Sequence, residues 1–348
     1  MLDLDGTELL PEEIELIQHP NTGGVILFSR NFSDINQLRA LTEHIKKLRK
    51  TELLIGVDHE GGRIQRFRHG FTRLPPCRVL GELYDEDRRQ AVALAEATGW
   101  LLAIELLAMG VDFSFAPVLD LDRNKSQVIG DRAFHHSPDI VIDLAKAYIK
   151  GMRKAGMEGV GKHFPGHGWV HEDSHTAVPR DLRSYEDIML SDLIPFERLI
   201  NAGISAIMPA HVIYEKIDRY PAGFSKIWLT KILRERLGFH GMIFSDDISM
   251  AGAVVQGTPL DRTNAALEAG CDMVLICNNR KAVYEVIDNL PQESMPASHV
   301  RKMRMYGKGD KIQMSELKKS RDWKKISSQI SCLDREPELD LDDDEYQA

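Results

Sequence analysis

The chain has 348 residues, 43% of them hydrophobic, which is enough to bury one large core. Much of the formal net charge of −9 comes from Glu336, Glu338, Asp340, Asp342, Asp343, Asp344 and Glu345 at the end, so the body is close to neutral. A neutral body without a basic stripe excludes electrostatic recruitment to nucleic acid or to an anionic membrane. Cys77, Cys271, Cys277 and Cys332 form neither a CxxC pair nor a regular framework, which predicts free, buried thiols in a reducing compartment. No basic region leads into an apolar stretch at the N-terminus, and no apolar run approaches about 18 residues, so the expectation is a soluble cytoplasmic protein.

In chain order, short apolar runs predict strands at 24–28, 53–58, 111–120, 159–163, 204–208, 241–246 and 273–277. Helical spacing between and after them predicts helices at 34–50, 85–109, 137–156, 184–202, 225–237, 261–269 and 280–290, with Asp34, Ser137, Ser184 and Ser225 as caps. This alternation predicts an α/β fold, specifically a (β/α)8 TIM-type barrel as a single catalytic domain over 1–291. Seven strands are evident, which leaves the barrel irregular or closed by a terminal segment. An open doubly wound sheet is the competitor, but no GxGxxG or GxxxxGK[ST] follows any strand. Residues 292–335 are expected to pack on the barrel as C-terminal helices, and the acidic tail 336–348 to be disordered.

What ends the strands carries the chemistry. The second run ends in Asp58-His-Glu-Gly-Gly-Arg63-Ile-Gln-Arg66, the fourth in Lys162-His163-Phe-Pro-Gly-His167, the fifth in Met208-Pro-Ala-His211 and the sixth in Ser245-Asp246-Asp247. Gly130-Asp131-Arg132 follows the third. Any one of these residues has a structural explanation, such as a helix cap or a satisfied histidine. Several strands ending in ionisable groups on one face instead gather acids and bases around one cleft, an arrangement that catalysis needs and stability does not. Asp246 and Asp247 compete for one role, because strand alternation sends their side chains to opposite faces.

His171-Glu-Asp-Ser-His175 matches HExxH, and His163, His167, His171 and His175 recur every four residues, which raises a zinc-dependent hydrolase as an alternative. That signature needs a helix, yet Pro165, Gly166 and Gly168 precede the stretch and Pro179 follows it. A non-catalytic sugar-binding barrel is a further alternative.

The segments Lys162-His-Phe-Pro-Gly-His-Gly-Trp-Val-His-Glu-Asp-Ser-His175, Asp58-His-Glu-Gly-Gly-Arg63 and Phe244-Ser-Asp-Asp-Ile-Ser-Met250 resemble family 3 glycoside hydrolases, nearest to the bacterial cytoplasmic β-N-acetylhexosaminidases of peptidoglycan recycling. The resemblance implies a retaining enzyme that forms a covalent glycosyl-enzyme. It implies Asp246 as nucleophile, His175 as acid/base oriented by Asp173, and Asp58, Arg66, Arg132, Lys162 and His163 as the residues that bind the terminal N-acetylglucosamine. It further implies no cofactor and no metal, and as substrate N-acetylglucosamine linked β-1,4 to 1,6-anhydro-N-acetylmuramic acid, with or without peptide. The expected partner is this small muropeptide or disaccharide, with no nucleic acid, no membrane, and a monomeric protein. Chemically the dyad is sound: an imidazole with a reference pKa of about 6.5 exchanges protons near neutrality, and a carboxylate on one ring nitrogen fixes its tautomer. The Pro- and Gly-rich approach predicts a non-helical loop that carries the dyad in and out.

Overall fold

The computed structural model describes residues 1–51, 53–126, 128–171, 178–291, 295–309 and 312–334. Helix α1, Pro11–Gln18, precedes strand β1, Gly24–Leu27; α2, Ile35–Lys47, leads to β2, Leu54–Val57, and the small antiparallel hairpin of β3, His59–Gly61, and β4, Ile64–Gln65. Helices α3, Cys77–Glu86, and α4, Arg88–Ala108, precede β5, Phe113–Ser114; α5, Pro138–Ala155, precedes β6, Val160–Phe164. Then follow β7, Arg180–Asp181, α6, Tyr185–Met189, α7, Leu193–Asn201, β8, Ala206–Pro209, β9, Ile213–Tyr214, and a π-helix, Ile227–Arg236. The C-terminal part holds β10, Met242–Asp247, α8, Pro259–Ala269, β11, Met273–Leu275, α9, Arg280–Asn289, α10, Pro296–Arg304, α11, Met314–Leu317, and α12, Arg321–Ser331.

The main strands form two parallel sheets, β1-β2-β5 and β11-β10-β8-β6. Each sheet edge faces an edge of the other through parallel bridges. Leu2 pairs with both Val25 and Ile276, and Val118 pairs with Lys162. The Leu2 segment exchanges backbone hydrogen bonds with Gly24 and Ile26, and Met1 accepts from Ile276. Since every pairing is parallel, the C-terminal ends of all these strands share one edge of the assembly. The sheet interior is apolar: Phe113, Phe115 and Phe244 are fully buried and stack at 5.0–5.3 Å between centroids.

The expected elements are largely present, and the differences have local causes. The third strand, expected over 111–120, keeps only two residues of regular strand; Pro117 has no N–H to give a ladder, and the chain regains a single bridge at Val118. The helix expected over 184–202 is two helices, since Pro195 in the first turn of α7 cannot donate to residue 191 and the Asp192 carboxylate is drawn to Arg183 at 2.6 Å. The helix expected from 85 starts at Arg88, where Asp87 accepts from the Gln90 N–H, and α3 before it was not foreseen. Ser184, Asp34 and Ser225 accept N–H groups as caps, but the Ser137 side chain does not. Of the cysteines, Cys332 is exposed while the other three are buried.

Against the expectation that no apolar run approaches membrane-spanning length, α4 is, among the described residues, a helix long and apolar enough to cross a membrane, and more than half of its most apolar stretch is buried within the protein. The packing explains its composition. Gly99 and Gly151 let α4 and α5 approach until a Cβ at either would strike the other helix's backbone, at Tyr148 and Glu96. On its far end, Glu105 accepts from Thr72 and from the Trp323 indole of α12, which fastens the C-terminal helices to α4. The acidic segment 336–348 lies outside the described residues.

Replacing Gly99 by Ala separates two effects. Helix propensity alone predicts a gain of about 1 kcal/mol, whereas overpacking against the Tyr148 carbonyl predicts a loss of about 1–3 kcal/mol. We expect the loss, read as a lowered urea midpoint with unchanged slope; a raised midpoint contradicts the close α4–α5 approach.

Candidate functional site

The C-terminal strand edge gathers the charged groups. Asp58 follows β2 directly, and strand alternation puts it on the same side as Glu60 two residues on. Lys162, near the end of β6, lies between them, with Nζ 2.6 Å from each carboxylate. The turn at 130–132 brings in Arg132, whose Nε and Nη2 both reach the Glu60 carboxylate at 2.8 Å. Two planar groups matched in this way form a bidentate pair. Burial alone would drive Glu60 toward its neutral form, but Arg132 and Lys162 hold its carboxyl well below the usual carboxylate range. Burial likewise opposes the charge on Lys162, and Asp58 and Glu60 outweigh it, raising the ammonium above its ordinary value. Asp58 remains partly exposed at 24%, so it is the member of this network that faces solvent.

A second buried carboxylate organises the next part of the edge. Asp120 accepts from the His163 ring at 2.7 Å, from the His163 N–H at 3.2 Å and from the His167 N–H at 2.7 Å. The Lys162–His163 and Phe164–Pro165 peptide bonds are cis. His167 is fully enclosed; burial first, then its neighbour His163, push its pKa down to about 4, so it is neutral at pH 7.

At the end of β10, the Asp246 carboxylate accepts the Asp247 N–H at 2.8 Å. It is close enough to His167 to favour that ring's protonation, which places the β10 and β6 ends near each other. The Asp247 carboxylate is engaged elsewhere, accepting the N–H groups of Ser249 and Cys277 at 3.0 Å each. Burial, with the neighbouring Asp246 charge adding to it, pushes Asp247 up to about 7. This occupation is a physical reason, independent of any resemblance, to distinguish the two aspartates. Arg66 sits with its guanidinium 5.7 Å from the Phe28 ring and close enough to His59 to depress that histidine further.

The structure thus brings Asp58, Lys162 and Arg132 into one network and sets His163 beside it on a separate carboxylate. Asp173 and His175 lie outside the described residues. The two carboxylates that hold these groups, Glu60 and Asp120, were not singled out from the sequence. Alternation from Asp58 points to Glu60, and a strand run ending in Asp points to Asp120. The four-residue histidine period does not trace one helix. His163 is on β6, His167 is in the turn that follows and His171 is exposed in irregular chain, because Pro165 and Gly166 interrupt the stretch.

Residues 2–305 match the model of the glycosyl hydrolase family 3 N terminal domain. A beta-hexosaminidase of Thioalkalivibrio sulfidiphilus is 54% identical over 342 residues, 98% of both chains. A beta-hexosaminidase of Thiobacillus denitrificans is 51% identical over 345 residues, 99% of this chain and 96% of that one. Among solved structures, NagZ from Neisseria gonorrhoeae in complex with N-trifluoroacetyl-D-glucosamine superposes with a TM-score of 0.92 at 44% identity, covering 96% of this chain and 97% of that one.

Glu60→Gln leaves Arg132 and Lys162 buried with one anion fewer, a change of the kind that costs about 3–5 kcal/mol. Because the folded-state pKa of Glu60 lies below its ordinary 4.5, its stabilisation is present above that pH and is lost as pH falls below it. Chemical denaturation at pH 7 should show the loss, and the gap between wild type and variant should narrow on acidification. A gap that stays constant with pH contradicts the ionic role.

Proposed function

This chain belongs to glycosyl hydrolase family 3, and on that premise we propose that it is a retaining β-N-acetylhexosaminidase that removes terminal β-linked N-acetylglucosamine. The observation that carries this reading is the pairing at one strand edge of a hydrogen-bonded aspartate, Asp246, with a fixed cation–carboxylate array, Asp58, Lys162, Glu60 and Arg132. Glycoside hydrolysis with retention needs a carboxylate on one face of the sugar ring and a proton donor at the leaving oxygen.

In this reading the Asp246 carboxylate attacks the anomeric carbon while His175, oriented by Asp173, protonates the departing oxygen. Water then attacks the glycosyl-enzyme, giving its proton to His175 and releasing Asp246. Asp58 accepts from sugar hydroxyls and Lys162, His163, Arg66 and Arg132 donate to the N-acetylglucosamine; Asp58, Lys162, Arg132 and His163 are each already held in place by a protein partner. The His163 ring nitrogen bound to Asp120 leaves the other nitrogen for the sugar. The substrate of this reading is N-acetylglucosamine β-1,4-linked to 1,6-anhydro-N-acetylmuramic acid, with or without peptide, in peptidoglycan recycling.

The same reading takes the fold as a (β/α)8 barrel over 1–291. The Leu2 and Val118 bridges support it, since they make the N-terminal segment an eighth member between β1 and β11 and join β5 to β6. The helices of 292–335 form its C-terminal extension, and three buried free thiols are consistent with a reducing, cytoplasmic setting.

The test is hydrolysis of a chromogenic β-N-acetylglucosaminide. Asp246→Ala should lose turnover by about three orders of magnitude or more, and His175→Ala by about 10²–10⁴ on the natural disaccharide but less on a good phenolic leaving group. Undiminished turnover in Asp246→Ala overturns the proposal.

A further inference from the structure

The β10–β11 ladder is irregular at Asp246. Phe244 pairs with Met273 and Asp247 with Leu275, so three steps on β10 oppose two on β11 and one residue of β10 is extra. A β-bulge of this kind re-aims a side chain, and it leaves ladder groups unsatisfied unless something replaces the missing backbone partners. Here two side chains do so. The fully buried Ser245 hydroxyl accepts the Leu275 N–H at 2.9 Å, and the Asp247 carboxylate accepts the Cys277 N–H at 3.0 Å. Both residues flank Asp246, one on each side.

The Asp247 peptide is held at its other groups as well. Its N–H donates to Asp246, and its carbonyl lies 3.0 Å from Nε2 of His211, a fully buried ring stacked on Phe224 at 5.1 Å and 8°. His211 closes the β8 segment, so the β10 end is tied to strands on both sides. The turn beyond β11 is pinned in the same manner, with the Asn278 N–H, at a left-handed φ of 54°, donating to Asp3 at 2.9 Å.

We infer that Ser245, Asp247 and His211 are positioning residues that hold a β-bulge at Asp246 and so set the direction in which its carboxylate attacks. The inference rests on the reading of Asp246 as nucleophile. Misplacing a reacting group by about 1 Å costs on the order of 100-fold in rate, and binding of the sugar through Asp58, Lys162 and Arg132 does not pass through this clamp. A defect in the clamp is therefore a defect in kcat rather than in KM.

The experiment measures kcat, KM and thermal midpoint of the full chain with 4-nitrophenyl β-N-acetylglucosaminide for Asp247→Ala, Asp247→Asn, Ser245→Ala and Asp246→Ala. Asp247→Ala should lose about 100-fold in kcat with KM within about threefold of wild type. Asp247→Asn keeps an oxygen that accepts both N–H groups, so it should recover to within about tenfold of wild type. Ser245→Ala should lose about tenfold in kcat, and decides the matter if Asp247→Ala does not fold. Wild-type kcat in folded Asp247→Ala or Ser245→Ala, beside an inactive Asp246→Ala, overturns the clamp and leaves the nucleophile standing. Full turnover in Asp246→Ala overturns both.

Discussion

Two cations, the buried Lys162 and the mostly covered Arg132, converge on the single buried carboxylate of Glu60. Neither could be buried alone, because removing an ammonium or guanidinium from water costs several kcal/mol unless an anion is supplied in good geometry. The pairing ties β3, just past the end of β2, to the end of β6 and to the turn after β5. Three segments that are far apart in sequence are thereby fixed at one edge, and the exposed side of the network, at Asp58, inherits that rigidity. On the proposed reading, a sugar bound there meets groups whose directions are set by protein partners before it arrives, which is what electrostatic preorganisation requires.

Around this network the parallel sheets do the placing. Every main-strand pairing and both sets of bridges run the same way, so residues that end strands must meet at one edge regardless of their spacing in the chain. Asp120 is a second organising carboxylate, accepting from the His163 ring and from the backbone N–H groups of His163 and His167. In both cases the carboxylate that holds the neighbouring groups is itself buried.

Most of the strands could be read from the sequence because they are buried on both faces and so appear as short apolar runs. The run at 111–120 overstated its strand because apolar character does not register the missing N–H of Pro117. The contribution of Leu2 was hidden because a single bridging residue has no periodicity to detect. In the site, the residues at strand ends were legible as a group, while Glu60 and Asp120 were not, since a buried acid looks like any other acid until its cation is seen. The choice between Asp246 and Asp247 shows the same limit. Alternation puts them on opposite faces without saying which face meets the site, whereas the bulge and the two N–H groups taken up by Asp247 separate them.

The central claim, that Asp246 forms the covalent bond to the sugar, is tested most directly by trapping. A slowly turned-over fluorinated N-acetylglucosaminide should label the enzyme once, and peptide mass analysis should place the sugar on Asp246. A label on Asp247 or elsewhere, or turnover of the reagent with no labelled peptide at any time, would contradict the account.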